Sequence, residues 1–308
     1  MKADGYPDVD PWVVDWFDEN GAMMDRPAAY TPEVLAMMRP TAPQPPATDV
    51  GSITDEVIAG VPVWIYEPHD EPTGVVVYLH GGAFVGGSRA LMHNVAEGLA
   101  RASGAVVVSV DYRLAPEDPF PAGLEDSDAV TRWVVDHVDR WDVAPSQVAV
   151  AGESAGGNLS AVLTLRFRDQ GGPSLAGQVL LYPAVDALND TYASRRDYDG
   201  LVLGHSSYDL VVEIYGGGVD ITRDPYAFPI LAADLSGLPP AFVMVGGCDW
   251  LRDEGLAYAE RLRDAGVPTE ELISKGQPHG FLNLDFPASA EVYDAAGAWL
   301  RDVFAAAG

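Results

Sequence analysis

From residue 51 onward the chain alternates between runs of apolar, β-branched residues and stretches whose apolar positions recur at helical spacing. GVVVYLH (74–80), AVVVSVDY (105–112), QVAVAGES (147–154), QVLLYPAV (178–185) and AFVMVGG (241–247) are runs of strand length. A strand that is apolar at nearly every position is buried on both faces, as in a parallel sheet covered by helices. Segments 124–139 and 155–168 lie between such runs and have the length and pattern of the covering helices. The β-α-β order therefore predicts an α/β fold with a mostly parallel sheet. The rhythm stops between about 186 and 233, where Asp, Tyr and Gly accumulate around one predicted helix, Tyr208 to Tyr215. This reads as an insertion over the strand ends.

Residues 1 to about 50 have a different texture, with short helix-like patches (Val9 to Asp18, Pro32 to Met38) followed by a Pro-rich stretch, Pro40 to Pro46, that predicts a linker or extended arm. Trp12, Val13, Trp16 and Phe17 fall at i, i+1, i+4 and i+5, so a helix through them has one aromatic face that must be covered. It could pack on the outside of the core as an ordinary helix. The arm gives it reach, and a small-molecule pocket needs apolar walls, which favours a cap over such a pocket at the strand ends. The expected division is 1–50 as cap segment and linker and 51–308 as catalytic domain, with 186–233 as cap insertion. At 308 residues the chain suits one such domain with additions at its edge.

The net charge of −28, from 46 acids against 18 bases, sets this surface against phosphate backbones and anionic membranes. No nucleic-acid or membrane partner is expected. The acidic balance fits either adaptation to high salt or the residue bias of a GC-rich genome. The single cysteine, Cys248, excludes an internal disulfide and a multi-cysteine metal site, and is read as a packed thiol. MKADGYPDVDPW lacks the basic and apolar regions of a secretory signal, and no run approaches the ~20 apolar residues of a membrane span, so a cytoplasmic location is expected.

The sharpest local signal is Gly152-Glu153-Ser154-Ala155-Gly156, where a strand gives way to a helix. A serine there lies on a tight turn that pushes Oγ above the sheet edge, with small residues around it to avoid clashes. The hydroxyl needs a base to take its proton. In chain order Ser, acid, His, only His205 and His279 follow, and His279 is preferred because it sits on a Pro/Gly turn after the strand-like ELISK, whereas His205 lies in the irregular insertion. Asp249, directly after AFVMVGGC, is the expected acid, with Asp253 and Glu254 as rivals that also read as N-terminal helix charges. His80-Gly81-Gly82-Ala83-Phe84 after GVVVYL is a candidate oxyanion loop, complemented by the N–H of Ala155. Gly82 to Ser88 lacks the lysine of a phosphate loop, and there is neither an H-E-x-x-H nor a clustered His/Cys set for zinc.

Together HGGAF (80–84), DYRLAPEDPFPA (111–122), GESAGGNL (152–159), DPYAFPILAADLSGLPP (224–240), DWLRDEG (249–255) and GQPHGF (277–282) resemble the hormone-sensitive-lipase-like esterases, bacterial lipolytic family IV of the α/β-hydrolase superfamily. The resemblance runs from about residue 50 to the C-terminus. It implies an eight-stranded α/β-hydrolase core with helices on both faces, a helical cap, no cofactor or metal, and hydrolysis of short- to medium-chain acyl esters through an acyl-enzyme. It implies Ser154, Asp249 and His279 as catalytic triad, with Gly82, Ala83 and Ala155 as oxyanion donors and Gly81 shaping their loop. Two positions depart from the family pattern: Ala83 stands where a third glycine is usual, and Trp250 where proline is usual. DYRLAPE is read as a structural belt. The partners expected are a small acyl ester and water, with a homodimer left open. An amidase, formamidase or lactonase would use the same triad, and a ligand-binding member without catalysis is disfavoured because His279 is present.

Overall fold

The computed structural model describes residues 5–21, 30–42, 48–187, 191–284 and 286–308. Residues 43–46 of the predicted arm, and parts of the N-terminal segment (1–4, 22–29) and of the insertion (188–190), lie outside the described residues. In chain order, α1 (Pro11–Asn20) and α2 (Pro32–Met38) precede a hairpin of β1 (Ser52–Ile58) and β2 (Val61–Glu67). Then come β3 (Val75–Leu79), α3 (His93–Ser103), β4 (Val106–Val110), α4 (Ala122–Asp136), β5 (Val148–Glu153), α5 (Ala155–Gln170) and β6 (Gln178–Leu181). The insertion carries α6 (Ala193–Asp197) and α7 (His205–Gly216), and the chain closes with β7 (Ala241–Gly246), α8 (Arg252–Asp264), β8 (Thr269–Ser274) and α9 (Ser289–Ala307).

The strands form one eight-stranded sheet in the order β1-β2-β4-β3-β5-β6-β7-β8. β2 is antiparallel to both its neighbours, and every pair from β4 to β8 is parallel. The period of two sorts the apolar runs onto two faces. Val76 and Tyr78 of β3 and Ala149 and Ala151 of β5 face Leu99 of α3 and Leu300 of α9. Val75, Val77 and Leu79 with Val148 and Val150 face Val130 of α4 and Leu159 and Val162 of α5. Each such buried side chain contributes about 1.5–3 kcal/mol by area. The expected α/β-hydrolase architecture is the one found.

Three details differ from the pattern-based elements. β1 and β2 are not among the apolar runs, because β1 is a half-exposed edge strand and β2 is interrupted by Pro62. The run 178–185 is strand only to Leu181, since Tyr182 turns to φ 34° and Pro183 has no N–H for the ladder. In the insertion, α7 begins at His205 rather than Tyr208. α1 starts at Pro11 behind Asp10, whose carboxylate accepts the N–H of Trp12 at 2.8 Å. Its Val13 and Phe17 are buried in the core, while Trp12 and Trp16 pack on Phe286 with ring centroids 4.7 and 5.2 Å away.

Candidate active site

Because β3, β5, β7 and β8 are parallel, the chain leaves all four at one edge of the sheet, where open α/β sheets bind ligands. Ser154 follows β5 with φ 56° and ψ −117°, a conformation that L-residues avoid and that turns its side chain out of the strand. The turn closes because the neighbours have no side chain: a Cβ on Gly156 would fall on the Leu79 carbonyl, and one on Gly152 on the Gly156 carbonyl.

The residues expected from the sequence meet here. His279 Nε2 lies 2.9 Å from Ser154 Oγ, and His279 Nδ1 lies 2.8 Å from Asp249 Oδ2. A carboxylate only accepts, so Nδ1 carries the proton toward Asp249 and Nε2 accepts the serine O–H. Asp249 is fully buried, its other oxygen taking the N–H of Leu251 at 2.8 Å, and Tyr182 meets the His279 ring edge-on. The rivals have other partners. Asp253 accepts the Ser194 N–H, and Glu254 takes the N–H of Val185 and of Asp186 and Arg195 Nη2 at 2.5 Å. His205 stands by Asp199 and against Trp250, away from Ser154.

The loop after β3 turns sharply, with positive φ at Gly82, Ala83 and Phe84. Gly82 O accepts the N–H of Gly86 at 2.7 Å, Tyr112 OH donates to His80 O at 2.6 Å, and the Tyr112 ring stacks on the His80 imidazole. Tyr112 gives the DYRLAPE belt a concrete task. Ala83 at φ 57° carries a cost of about 1–2 kcal/mol that a glycine would not. The N–H groups of Gly82, Ala83 and Ala155 have no hydrogen-bond partner among the described residues, and all three residues line the same cavity as Ser154 and His279. The N–H of Gly81 is not free; it is held by Glu153.

That cavity has a volume of about 340 Å³ and apolar walls that include Met38, Phe84, Val211 and Leu284, with Tyr30 and Tyr208 at its sides. Among the described residues its lining contains no lysine or arginine, and Glu153 is the one carboxylate. Tyr30 and Met38 come from the N-terminal segment and Tyr208 and Val211 from the insertion, so both segments contribute wall.

The acid and histidine loops are tied to each other and to the N-terminal segment. Cys248 N–H donates to Gln277 O, Asp10 N–H donates to Gly276 O, and Cys248 Sγ donates to Pro7 O at 3.6 Å. Burial pushes the Cys248 thiol up to about 11, so it stays a protonated, packed thiol. Residues that the sequence did not single out also matter here. Arg195 from α6 lies over Trp250 at 4.4 Å and pairs with Glu254 beneath the acid loop. Burial pushes the Glu254 carboxyl from the usual 4.5 up to about 7, with Arg195 pulling it back. An arginine in an otherwise irregular insertion was the signal available, and it names no partner.

A hydroxyl, an imidazole and a buried carboxylate in line, beside three unengaged N–H donors at a strand-to-helix turn, is the arrangement of a nucleophile-elbow hydrolase. The pattern of the α/β-hydrolase fold family matches residues 76–283, and the chain belongs to that family, within its hormone-sensitive-lipase-like esterases. It is 42% identical over 241 residues to carboxylesterase NlhH of Mycobacterium tuberculosis, covering 76% of each chain. It is 35% identical to an arylesterase of Saccharolobus solfataricus, over 79% of this chain and 80% of the relative. Among solved structures it is similar to a hyperthermophilic esterase from Pyrobaculum calidifontis, with a TM-score of 0.85 and 35% identity over 96% of this chain and 98% of that one. The family is one of carboxylic ester hydrolases.

Proposed function

We propose that the protein is a serine carboxylesterase that hydrolyses uncharged esters of short to medium acyl chain through an acyl-Ser154 intermediate. The observation that carries this reading is the Asp249–His279–Ser154 chain, with His279 at 2.8 and 2.9 Å from its two partners, opening on an apolar cavity. Ser154 Oγ attacks the ester carbonyl as its proton passes to His279 Nε2, and Asp249 stabilises the imidazolium. The N–H groups of Gly82, Ala83 and Ala155 take the developing oxyanion. Collapse breaks the C–O bond to the alcohol, which leaves with the proton from Nε2. Water then repeats the sequence on the acyl-serine, releasing the acid. A wall without cations among the described residues disfavours substrates bearing a carboxylate, and an acidic surface repels them at a distance.

The segments 1–50 and 186–233 act in this reading as a cap, supplying the far wall of the cavity through Tyr30, Met38, Tyr208 and Val211. The test is a panel of p-nitrophenyl esters of increasing chain length, run beside anilides and lactones. Esters of two to eight carbons should dominate, and Ser154→Ala should lower kcat by about 10⁴- to 10⁶-fold while the thermal melt stays in place. Anilide or lactone turnover exceeding that of every ester would move the protein to the amidase or lactonase class.

A further inference from the structure

Glu153 is the one buried acid of the site with no task in the reaction above. It is 1% exposed at the end of β5, and no cation pairs with it among the described residues. Its Oε1 accepts the N–H of Gly81 at 2.5 Å and its Oε2 accepts from Asn283 Nδ2 at 3.4 Å. One carboxyl group thus joins the residue before the nucleophile, the loop after β3 and the turn after His279. Burial pushes its ionisation upward and a buried carboxylate is costly, so its retention calls for a reason.

The reason lies in the Gly81 peptide. Its N–H goes to Glu153, while its carbonyl accepts His80 Nδ1–H at 2.7 Å, so the residue is gripped at both ends. A Cβ on Gly81 would overlap the Glu153 carboxyl group, which means that the close approach requires glycine. The next two residues, Gly82 and Ala83, line the cavity at positive φ with N–H groups that have no partner among the described residues. A tilt at Gly81 is carried directly into the aim of both donors.

Building on the esterase reading, we infer that Glu153 is a positioning residue that sets the aim of the oxyanion loop through the Gly81 N–H. It touches no reacting atom. What the loop needs from it is an acceptor at the right reach, so glutamine should serve and an apolar isostere should not. Glutamine fits: its Oε1 takes the Gly81 N–H, and its NH₂ faces Asn283, whose amide oxygen has no partner among the described residues and can turn toward it.

The experiment compares Glu153→Met, Glu153→Gln and the parent for kcat and KM on p-nitrophenyl butyrate, for the Kd of phenylboronic acid, and for Tm. Methionine removes a buried carboxylate but leaves the Gly81 N–H without its acceptor, two opposed effects, so Tm should stay within several degrees of the parent value. It should lower kcat by about 10²-fold with KM within threefold, and weaken boronate binding in step, because misaimed donors are lost to the transition state and not to the ground state. Glutamine should restore kcat to within about tenfold of the parent. Equal losses in both variants, boronate affinity unchanged in Glu153→Met, or a loss beyond tenfold in Glu153→Gln would overturn the inference; the glutamine result decides even if methionine prevents folding. Ser154→Ala tested alongside reports on the esterase reading separately, since that reading can stand with either outcome at Glu153.

Discussion

Ser154 and the loop after β3 hang from β5 and β3 in the middle of the sheet, whereas Asp249 and His279 hang from β7 and β8 near its edge. The first half is closed by contacts between neighbouring strands and turns: Gly156 under the Leu79 carbonyl, Gly86 on Gly82 O, Tyr112 on His80 O. The second half is steadied from far along the chain. Asp10 and Pro7 reach Gly276 and Cys248, Trp12 and Trp16 flank Phe286, and Arg195 sits on Trp250. The turn at Ser154 is therefore closed by backbone contacts within the sheet, while the two peripheral segments brace the loops of Asp249 and His279 and reach the loop after β3 as well, where Gly87 N–H donates to Met38 O, Arg39 Nε–H donates to Val85 O and Phe84 stacks on Tyr215. Damage to those segments should reach catalysis through His279, Asp249 and the loop after β3, leaving the turn at Ser154 intact.

The comparison is broken most severely at its rigid half. Gly156→Ala forces a methyl onto a carbonyl in the adjacent turn, with no flexible side chain to yield. A cost of about 3 kcal/mol or more and a fall in kcat/KM of at least about 10³-fold are expected from urea melts and ester kinetics. Wild-type stability and turnover in this variant would show that the elbow has slack the geometry denies it.

At the braced half, Phe286→Ala removes the ring that Trp12 and Trp16 pack against, a few residues beyond His279. Loss of a buried phenylalanine costs about 3–5 kcal/mol. Turnover of the folded fraction should fall by about tenfold with little change in KM, because the wall of the cavity is untouched. A KM effect without a kcat effect would instead give the N-terminal helix a role in substrate binding.

The smallest effect concerns the buried pair under the acid loop. Glu254 titrates near 7 in the folded protein and near 4.5 unfolded, so its contribution to stability is full below about 4.5 and lost as the pH rises through about 7. Glu254→Gln has no such loss. Whatever offset the substitution brings at pH 5, the unfolding free energy of the variant relative to the parent should rise by about 2 kcal/mol between pH 5 and pH 8. A parallel pair of pH profiles would mean that Arg195 holds the carboxylate ionised throughout.

The contrast between the halves also marks what could be read from residues alone. The elbow announces itself because strand, turn and helix are contiguous, and with the chain order serine, acid, histidine taken from the elbow template, the end of the run AFVMVGG and the turn after ELISK picked out Asp249 and His279. The hairpin of β1 and β2 was missed, since an edge strand with exposed alternation and a proline-broken neighbour carry a weak apolar signal. Glu153, Arg195 and Tyr112 act through partners at separations of 72, 59 and 32 residues, and no local spacing encodes such pairings. The aromatic face of α1 was legible as a face; that Phe286 would meet it was not.

The most direct test of the central claim, that His279 activates Ser154 as the nucleophile, is intact-protein and peptide mass spectrometry after treatment with a neutral alkyl fluorophosphonate. One equivalent should add, on the peptide carrying Ser154, in step with loss of esterase activity. The adduct should be absent in Ser154→Ala and form at least about 10³-fold more slowly in His279→Ala. Stoichiometric labelling of Ser154→Ala, or an undiminished rate without His279, would contradict the account.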